Sequence, residues 1–324
     1  MQRILHMKTP SHDTLPNTPS ASVVSPVACV VVTFEIGRDV LPVLEAILPQ
    51  VDRVFIVDNG SGRESQDALR EIESAYPERV EMIRNGENLG IAAALNIGVR
   101  RALDQGHDWV LTLDHDSVAA PDMVANLFRT HAEVADRNPG ILSPTHIDGS
   151  TGRKYRYPVF GKFFFRHVTP VDRPLSCSFC ISSGSLIPKR TFETAGLFQE
   201  EYFVYAVDTE FCRRVLRHGY SIFISEKATL VHREGGGRKT DLGIFQLRTP
   251  DWSARSLYYI FRNVIYDLRT NPVFSWRIHE GLFLARALIT LLLANPPDRN
   301  THWAAVRRGI SDGIRGRLGK SAEY

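Results

Sequence analysis

The sequence predicts an α/β protein built on a mostly parallel, doubly wound sheet, and three observations carry that expectation. Apolar, β-branched runs alternate with helix-patterned segments between residues 27 and 147. The first of these runs, VACVVVTF (27–34), is continuously apolar and rich in β-branched residues, as burial on both faces requires. Polar and acidic residues collect where those runs end, on the side where an open parallel sheet binds its ligands.

In chain order, VACVVVTF (27–34) is the first strand. Arg38 to Pro49 has the helical spacing of Val40, Leu44 and Ile47, with Pro42 in a first turn, which tolerates it. RVFIVDN (53–59) is the second strand, stopped by Gly60-Ser61-Gly62. Gln66 to Ala75 reads as a helix, VEMIRN (80–85) as the third strand and Ile91 to Leu103 as a helix. WVLTLDHDS (109–117) is a fourth strand running into polar residues, followed by a helix from Pro121 to Asp136 and a fifth strand, GILSPTHI (140–147). Strand, helix, strand at this pitch implies parallel pairing through right-handed crossovers.

The second half changes character. Residues 150–187 carry aromatic and β-branched runs broken by prolines, which suggests antiparallel pieces. Asp208 to Arg217 reads as a helix, with short strands at 220–224 and 228–232. A Gly-rich basic loop spans His232 to Lys239, and the remainder is helical.

Composition narrows the function. With 39 Lys+Arg against 36 Asp+Glu, the net charge of +3 is too small for a nucleic-acid binder. Cys29, Cys177, Cys180 and Cys212 suit a reducing compartment; Cys177-Ser-Phe-Cys180 lacks the second pair a zinc site needs, so packing is the expected role. Residues 1–26, rich in Pro, Ser and Thr and without a secretory apolar run, read as a flexible leader, and the expected location is cytoplasmic. Gly281 to Ala294 is too short to span a bilayer and contains Arg286, so it is either a buried helix or one lying in the membrane interface. The basic stretch after it (Arg299, Arg307, Arg308, Arg315, Arg317, Lys320) suits an anionic inner leaflet.

The candidate site lies at the strand ends. Thr33-Phe34, Asp58-Asn59 and Asp114-His115-Asp116 share one rim. Asp58 could accept from a ribose or base edge, or simply form a turn. Asp114-x-Asp116 offers hard oxygen ligands for a divalent ion that joins carboxylates to substrate phosphates, or else caps the next helix. Asn88 and Gly90 open a helix of small residues that a ligand could approach closely. There is no Gly-x-Gly-x-x-Gly after the first strand and no Walker A lysine, which counts against NAD chemistry and P-loop hydrolysis. Asp208-Thr-Glu210 either complements a helix dipole or supplies a general base, beside an aromatic platform of Tyr202, Phe203 and Tyr205 for the acceptor. His232, Arg238 and Lys239 could bind a diphosphate, or form a solvated basic turn.

Taken together, VVVTF, VDNGS (57–61), NLGIAAALNIG (88–98), LTLDHDS (111–117), ISSGSLI (181–187) and EEYFVYAVDTEFCRRVLRHGY (200–220) resemble bacterial family 2 glycosyltransferases of the GT-A fold. Within the family the chain resembles the rhamnosyltransferase branch, whose Asp-Gln-Asp-Ser motif stands here as Asp114-His115-Asp116-Ser117. HREGGGRKT and RNVIYDLR (262–269) are most similar to members that add the second rhamnose of rhamnolipids.

The resemblance implies inverting transfer of L-rhamnose from dTDP-L-rhamnose to mono-rhamnolipid, with Mg²⁺ or Mn²⁺ and no covalent nucleophile. The alternative acceptor is an O-antigen or other surface polysaccharide; a sugar-nucleotide nucleotidyltransferase and a non-catalytic scaffold are more distant rivals. Thr33, Phe34, Asp58, Asn59, Asn88 and Gly90 would hold the thymidine end. Asp114, His115 and Asp116 would meet the ribose, metal and diphosphate, with His232 a third metal ligand. Asp208 matches the Asp of the family's Glu-Asp base motif, although Val207 replaces the Glu. Tyr202, Phe203, Tyr205 and Glu210 would face the acceptor. On this plan residues 27–147 form the nucleotide-sugar half, 148–245 the acceptor half and 246–324 a helical C-terminal region with a peripheral membrane contact as an option; oligomeric state stays open.

Overall fold

The computed structural model describes residues 26–232, 237–241, 246–250, 252–294 and 298–324. Its first half follows the βα rhythm: β1 (Val27–Thr33), α1 (Leu41–Ile47), β2 (Arg53–Asp58), α2 (Arg63–Ala75), β3 (Val80–Arg84), α3 (Ile91–Asp104) and β4 (Trp109–Asp114). These four strands pair in parallel, in the order β3-β2-β1-β4. Their register sets Thr33 beside Asp58, and Val32 beside Asp114, so the polar strand ends share one rim.

The chain then continues through β5 (Ser117–Ala119), α4 (Met123–Glu133), β6 (Pro139–Asp148), β7 (Tyr157–Phe160), β8 (Phe165–Val168), β9 (Leu175–Cys177), β10 (Ser185–Pro188), α5 (Lys189–Ala195), α6 (Val207–Arg217) and β11 (Ser221–His232). Beyond β4 the sheet becomes mixed. β10 lies antiparallel between β4 and β6, so the fifth strand runs parallel to β4 without touching it. Four buried residues suffice for β10, too few to stand out as a strand in the sequence. The two short strands expected at 220–224 and 228–232 are one strand, β11, with a register shift between Ser225 and Thr229. Ser225 Oγ accepts the amides of Lys227 and Ala228 there, which stabilises the bulge without ending the strand.

Two cores flank the sheet. β1 sends Cys29 and Val31 into one and Val30 and Val32 into the other, as strand alternation dictates. Cys177, Cys180 and Cys212 are buried free thiols in the second core, and Cys29 in the first. Helix α3 crosses β1 so closely that a Cβ on Gly98 would stand 2.3 Å from Val30 Cγ1.

A hairpin follows, β12 (Gly237–Asp241) with β13 (Gln246–Pro250), then α7 (Ala254–Thr270), α8 (Phe274–Ala294) and α9 (Arg299–Arg315). The C-terminal stretch is thus helical only from residue 254, and part of the expected basic loop is strand β12. The three helices build their own apolar cluster. Among the described residues no helix is long and apolar enough to cross a membrane. Helix α8 is neither wholly buried nor free: Leu284, Ala287 and Leu291 pack inward while another side stays exposed.

Candidate active site

A cleft of about 360 Å³ opens on the rim, lined by Thr33, Phe34, Asn59, Asn88, Gly90, Asp114, His115, Asp116, Phe203 and Tyr205 among the residues the sequence singled out. Asn59 knits its floor: its Nδ2 donates to Asn88 Oδ1 at 3.2 Å, and its Oδ1 accepts the Leu89 amide at 3.0 Å. Gly90 holds a positive φ of 88°, and a Cβ there would fall 2.5 Å from the Phe203 carbonyl oxygen. That carbonyl accepts the Ile91 amide at 2.7 Å, which fastens the aromatic segment to the start of α3.

Asp58 does not line the cleft. It is fully buried behind the rim, where its carboxylate accepts from the Ser61 amide at 3.1 Å, the Thr33 hydroxyl and Gln66 Nε2. The turn-forming role weighed for this residue is the one its hydrogen bonds serve.

Asp114 ends β4, Asp116 stands in the turn between β4 and β5, and His232 closes β11 opposite Ser117. One ligand atom from each of the three lies within 4.8 Å of the others. His232 Nδ1 is 2.7 Å from Ser117 Oγ and 3.6 Å from Asp116 Oδ1. Burial pushes Asp114 up to about 6, with Asp116 and Asp208 adding to the shift and His232 opposing it. Two carboxylates and one imidazole fit a divalent ion and leave coordination positions for a diphosphate. His115 turns a ring nitrogen to the Val32 carbonyl at 3.1 Å and still lines the cleft.

Asp208 is the second residue of α6, behind a segment in which Phe203, Tyr205 and Ala206 all take positive φ. Such backbone conformations persist only when surroundings enforce them. Asn263 of α7 does so here, its fully buried amide reaching the carbonyls of Tyr202, Val204 and Tyr205 at 2.8–3.0 Å. Asp208 itself is half-buried beside Cys180, Ser182 and Phe211, one loop away from the cleft lining. Its Oδ2 accepts the Ser182 amide at 3.2 Å, and the adjacent Ser183 Oγ accepts the Asp114 amide at 3.1 Å. Burial raises the Asp208 pKa, partly offset by the Ser182 amide, by its own backbone amide and by His232.

Tyr202 and Glu210, expected to face an acceptor, do not line the cleft. Tyr202 is buried and donates its hydroxyl to Asp267, which also accepts from Arg213 at 2.9 Å. Glu210 gives both oxygens to Arg214 at 3.0 and 2.7 Å. Arg238 and Lys239 belong to strand β12, opposite Thr249 and Arg248; their side chains lie outside the described residues.

Arg255 and Ser256, in the first turn of α7, line the cleft and were missed from the sequence. The Arg255 guanidinium lies 5.6 Å from the Phe203 ring centre. The only local signal was Ser253, whose hydroxyl accepts the Ser256 amide and starts the helix.

A parallel half-sheet with an acidic pair on its rim, completed by mixed strands, is the GT-A architecture of glycosyltransferases. The crystal structure of S. aureus TarS 1–349 shares the fold with a TM-score of 0.57 at 14% identity, covering 90% of this chain and 82% of that one. The chain belongs to glycosyltransferase family 2, whose model, "Glycosyl transferase family 2", matches residues 28–195. It is 32% identical over 272 residues to "dTDP-rhamnosyl transferase RfbF" of Shigella flexneri, covering 82% of this chain and 87% of the relative. It is 24% identical over 239 residues to "Low-salt glycan biosynthesis hexosyltransferase Agl10" of Haloferax volcanii, covering 69% of each.

Proposed function

We propose that this glycosyltransferase moves L-rhamnose from dTDP-L-rhamnose, with inversion, to a hydroxyl of a lipid-linked surface glycan of the O-antigen type. The convergence of Asp114 and Asp116, which line the cleft, with His232 carries the reading. The donor sugar is supported by the likeness to a dTDP-rhamnosyl transferase. A glycan acceptor is better supported than mono-rhamnolipid, because the relatives include a hexosyltransferase of glycan biosynthesis.

In this scheme the nucleoside end lies along Thr33, Phe34, Asn59 and Asn88, and the diphosphate meets Asp114, Asp116 and His232. Mg²⁺ or Mn²⁺ held there would supply positive charge to the leaving group. Arg255, which also lines the cleft, adds a second cation. The acceptor oxygen attacks the anomeric carbon, the bond to the diphosphate breaks, and dTDP leaves. Asp208 takes the proton from the attacking hydroxyl. Phe203 and Tyr205 form the platform between donor and acceptor.

The test is dTDP release from dTDP-L-rhamnose with a panel of acceptors: lipid-linked glycans and mono-rhamnolipid. Turnover with the lipid-linked glycan supports the reading. Turnover with mono-rhamnolipid alone reverses the acceptor choice, and none with any acceptor removes the rhamnosyl-transfer assignment.

A further inference from the structure

Away from the cleft, two elements bring apolar side chains to the surface side by side. On α8, Phe274, Ile278, Leu282, Ile289, Leu292 and Leu293 are all exposed. At 100° per residue they fall within one sector of the helix, and at 1.5 Å per residue they run about 28 Å along it. The β7–β8 hairpin presents Phe163 and Phe164 at its tip, Phe164 with 83% of its surface in water. The two are fixed to each other: Ser275 Oγ donates to the Gly161 carbonyl at 2.6 Å, and Phe160 packs against Trp276 at 4.7 Å between ring centres with the rings tilted by 50°. Ser275 and His279, which meet the hairpin, sit one step round the helix from the exposed row.

The exposed charges that these two elements carry have one sign. Lys162, Arg166, Arg277 and Arg286 are exposed, and none pairs with a carboxylate among the described residues. The only acid in either element, Glu280, is buried and accepts from Trp276 Nε1. A second copy docking through the same patch would set these cations against their own equivalents with no acid to offset them. An anionic lipid surface offers what both parts of the patch require: hydrocarbon for the phenylalanines and leucines, and phosphate for the arginines.

We propose that α8 and the β7–β8 tip form a docking surface for anionic membrane, with the apolar row lying in the headgroup region rather than crossing the bilayer. This extends the reading of a lipid-linked acceptor to where that acceptor resides. The test uses neither donor nor acceptor, so its failure is distinguishable from a failure of the rhamnosyl assignment.

The full chain is sedimented with vesicles of phosphatidylglycerol and, separately, of phosphatidylcholine. Binding to phosphatidylglycerol is expected, weakened by at least about tenfold in the Phe163→Ser/Phe164→Ser pair and in Leu282→Gln/Ile289→Gln. Arg277→Gln/Arg286→Gln should lose the preference for the anionic lipid. Thermal unfolding of each variant separates lost binding from lost folding, and the hairpin pair, which lies outside every core, keeps the test open if the α8 pair misfolds. No binding to phosphatidylglycerol vesicles, or equal binding by the folded hairpin variant, overturns the proposal. So does a concentration-dependent dimer that the same substitutions abolish.

Discussion

Asp208 and Ser182 are joined by a 3.2 Å hydrogen bond from the Ser182 amide to the carboxylate, although 26 residues separate them. The bond holds one face of the carboxylate and favours its ionised form, while burial works more strongly the other way and raises the pKa. A base must be ionised to accept a proton. Turnover should therefore fall as pH drops through a value above the ordinary carboxylate range. Asp208→Asn should lower kcat by at least about two orders of magnitude with donor binding nearly unchanged, and should abolish that acid limb. A pH–rate profile of the two proteins is the measurement; equal turnover would remove Asp208 from the proton transfer.

The metal cluster makes a separate prediction. If the proposed metal site holds, removing one of three candidate ligands whose donor atoms lie within 4.8 Å should weaken metal-dependent donor binding by at least about tenfold in Asp116→Ala. Chelator should suppress donor binding by the wild-type chain and have little further effect on the variant. Titration of Mn²⁺ against donor binding reads both. An unchanged titration would assign Asp116 to the loop's structure alone.

How much of this was legible in the sequence depended on the range of the interaction. β1, β2 and β4 were readable because burial on both faces leaves a nearly unbroken apolar run, whereas β3 alternates buried and partly exposed residues. Asp114 and Asp116 were readable because two acids after such a run carry their chemistry locally. Tyr202 and Glu210 look alike in sequence to Phe203 and Tyr205, all near one helix start. What separates them is a partner: Tyr202 meets Asp267, 65 residues further on, and Glu210 is claimed by Arg214. Likewise nothing local distinguishes Arg255 from any basic residue in a helix; the way α7 folds back against residues 202–205 brings it to the cleft.

Arg255 carries the third prediction. Its guanidinium is exposed in the cleft and has no carboxylate partner among the described residues. Arg255→Ala should raise the donor KM by about tenfold with a smaller effect on kcat, as loss of a charge-assisted contact to a diphosphate would. Arg255→Lys should recover part of the loss, since it keeps the charge without the planar fork. Steady-state kinetics at varied donor would show it, and an unchanged KM in Arg255→Ala would leave the residue as a stacking partner of Phe203.

Glu280 supplies a prediction about stability rather than chemistry. It lies inside α8 with Oε1 accepting from Trp276 Nε1 at 2.8 Å, while Oε2 has no hydrogen-bond partner among the described residues. Burial pushes its pKa up to about 8, with Asp267 adding to the shift. In the unfolded chain the group titrates near the ordinary value of 4.5. Between those two pH values the folded protein holds a proton that the unfolded chain has released, so stability falls as pH rises across the interval. Glu280→Gln keeps the acceptor for Trp276 and removes the ionisable group. The variant should melt a few degrees above the wild type at pH 8, with the difference closing towards pH 4. Thermal melts across that range decide it: a difference independent of pH would show that packing, not the buried proton, governs the site.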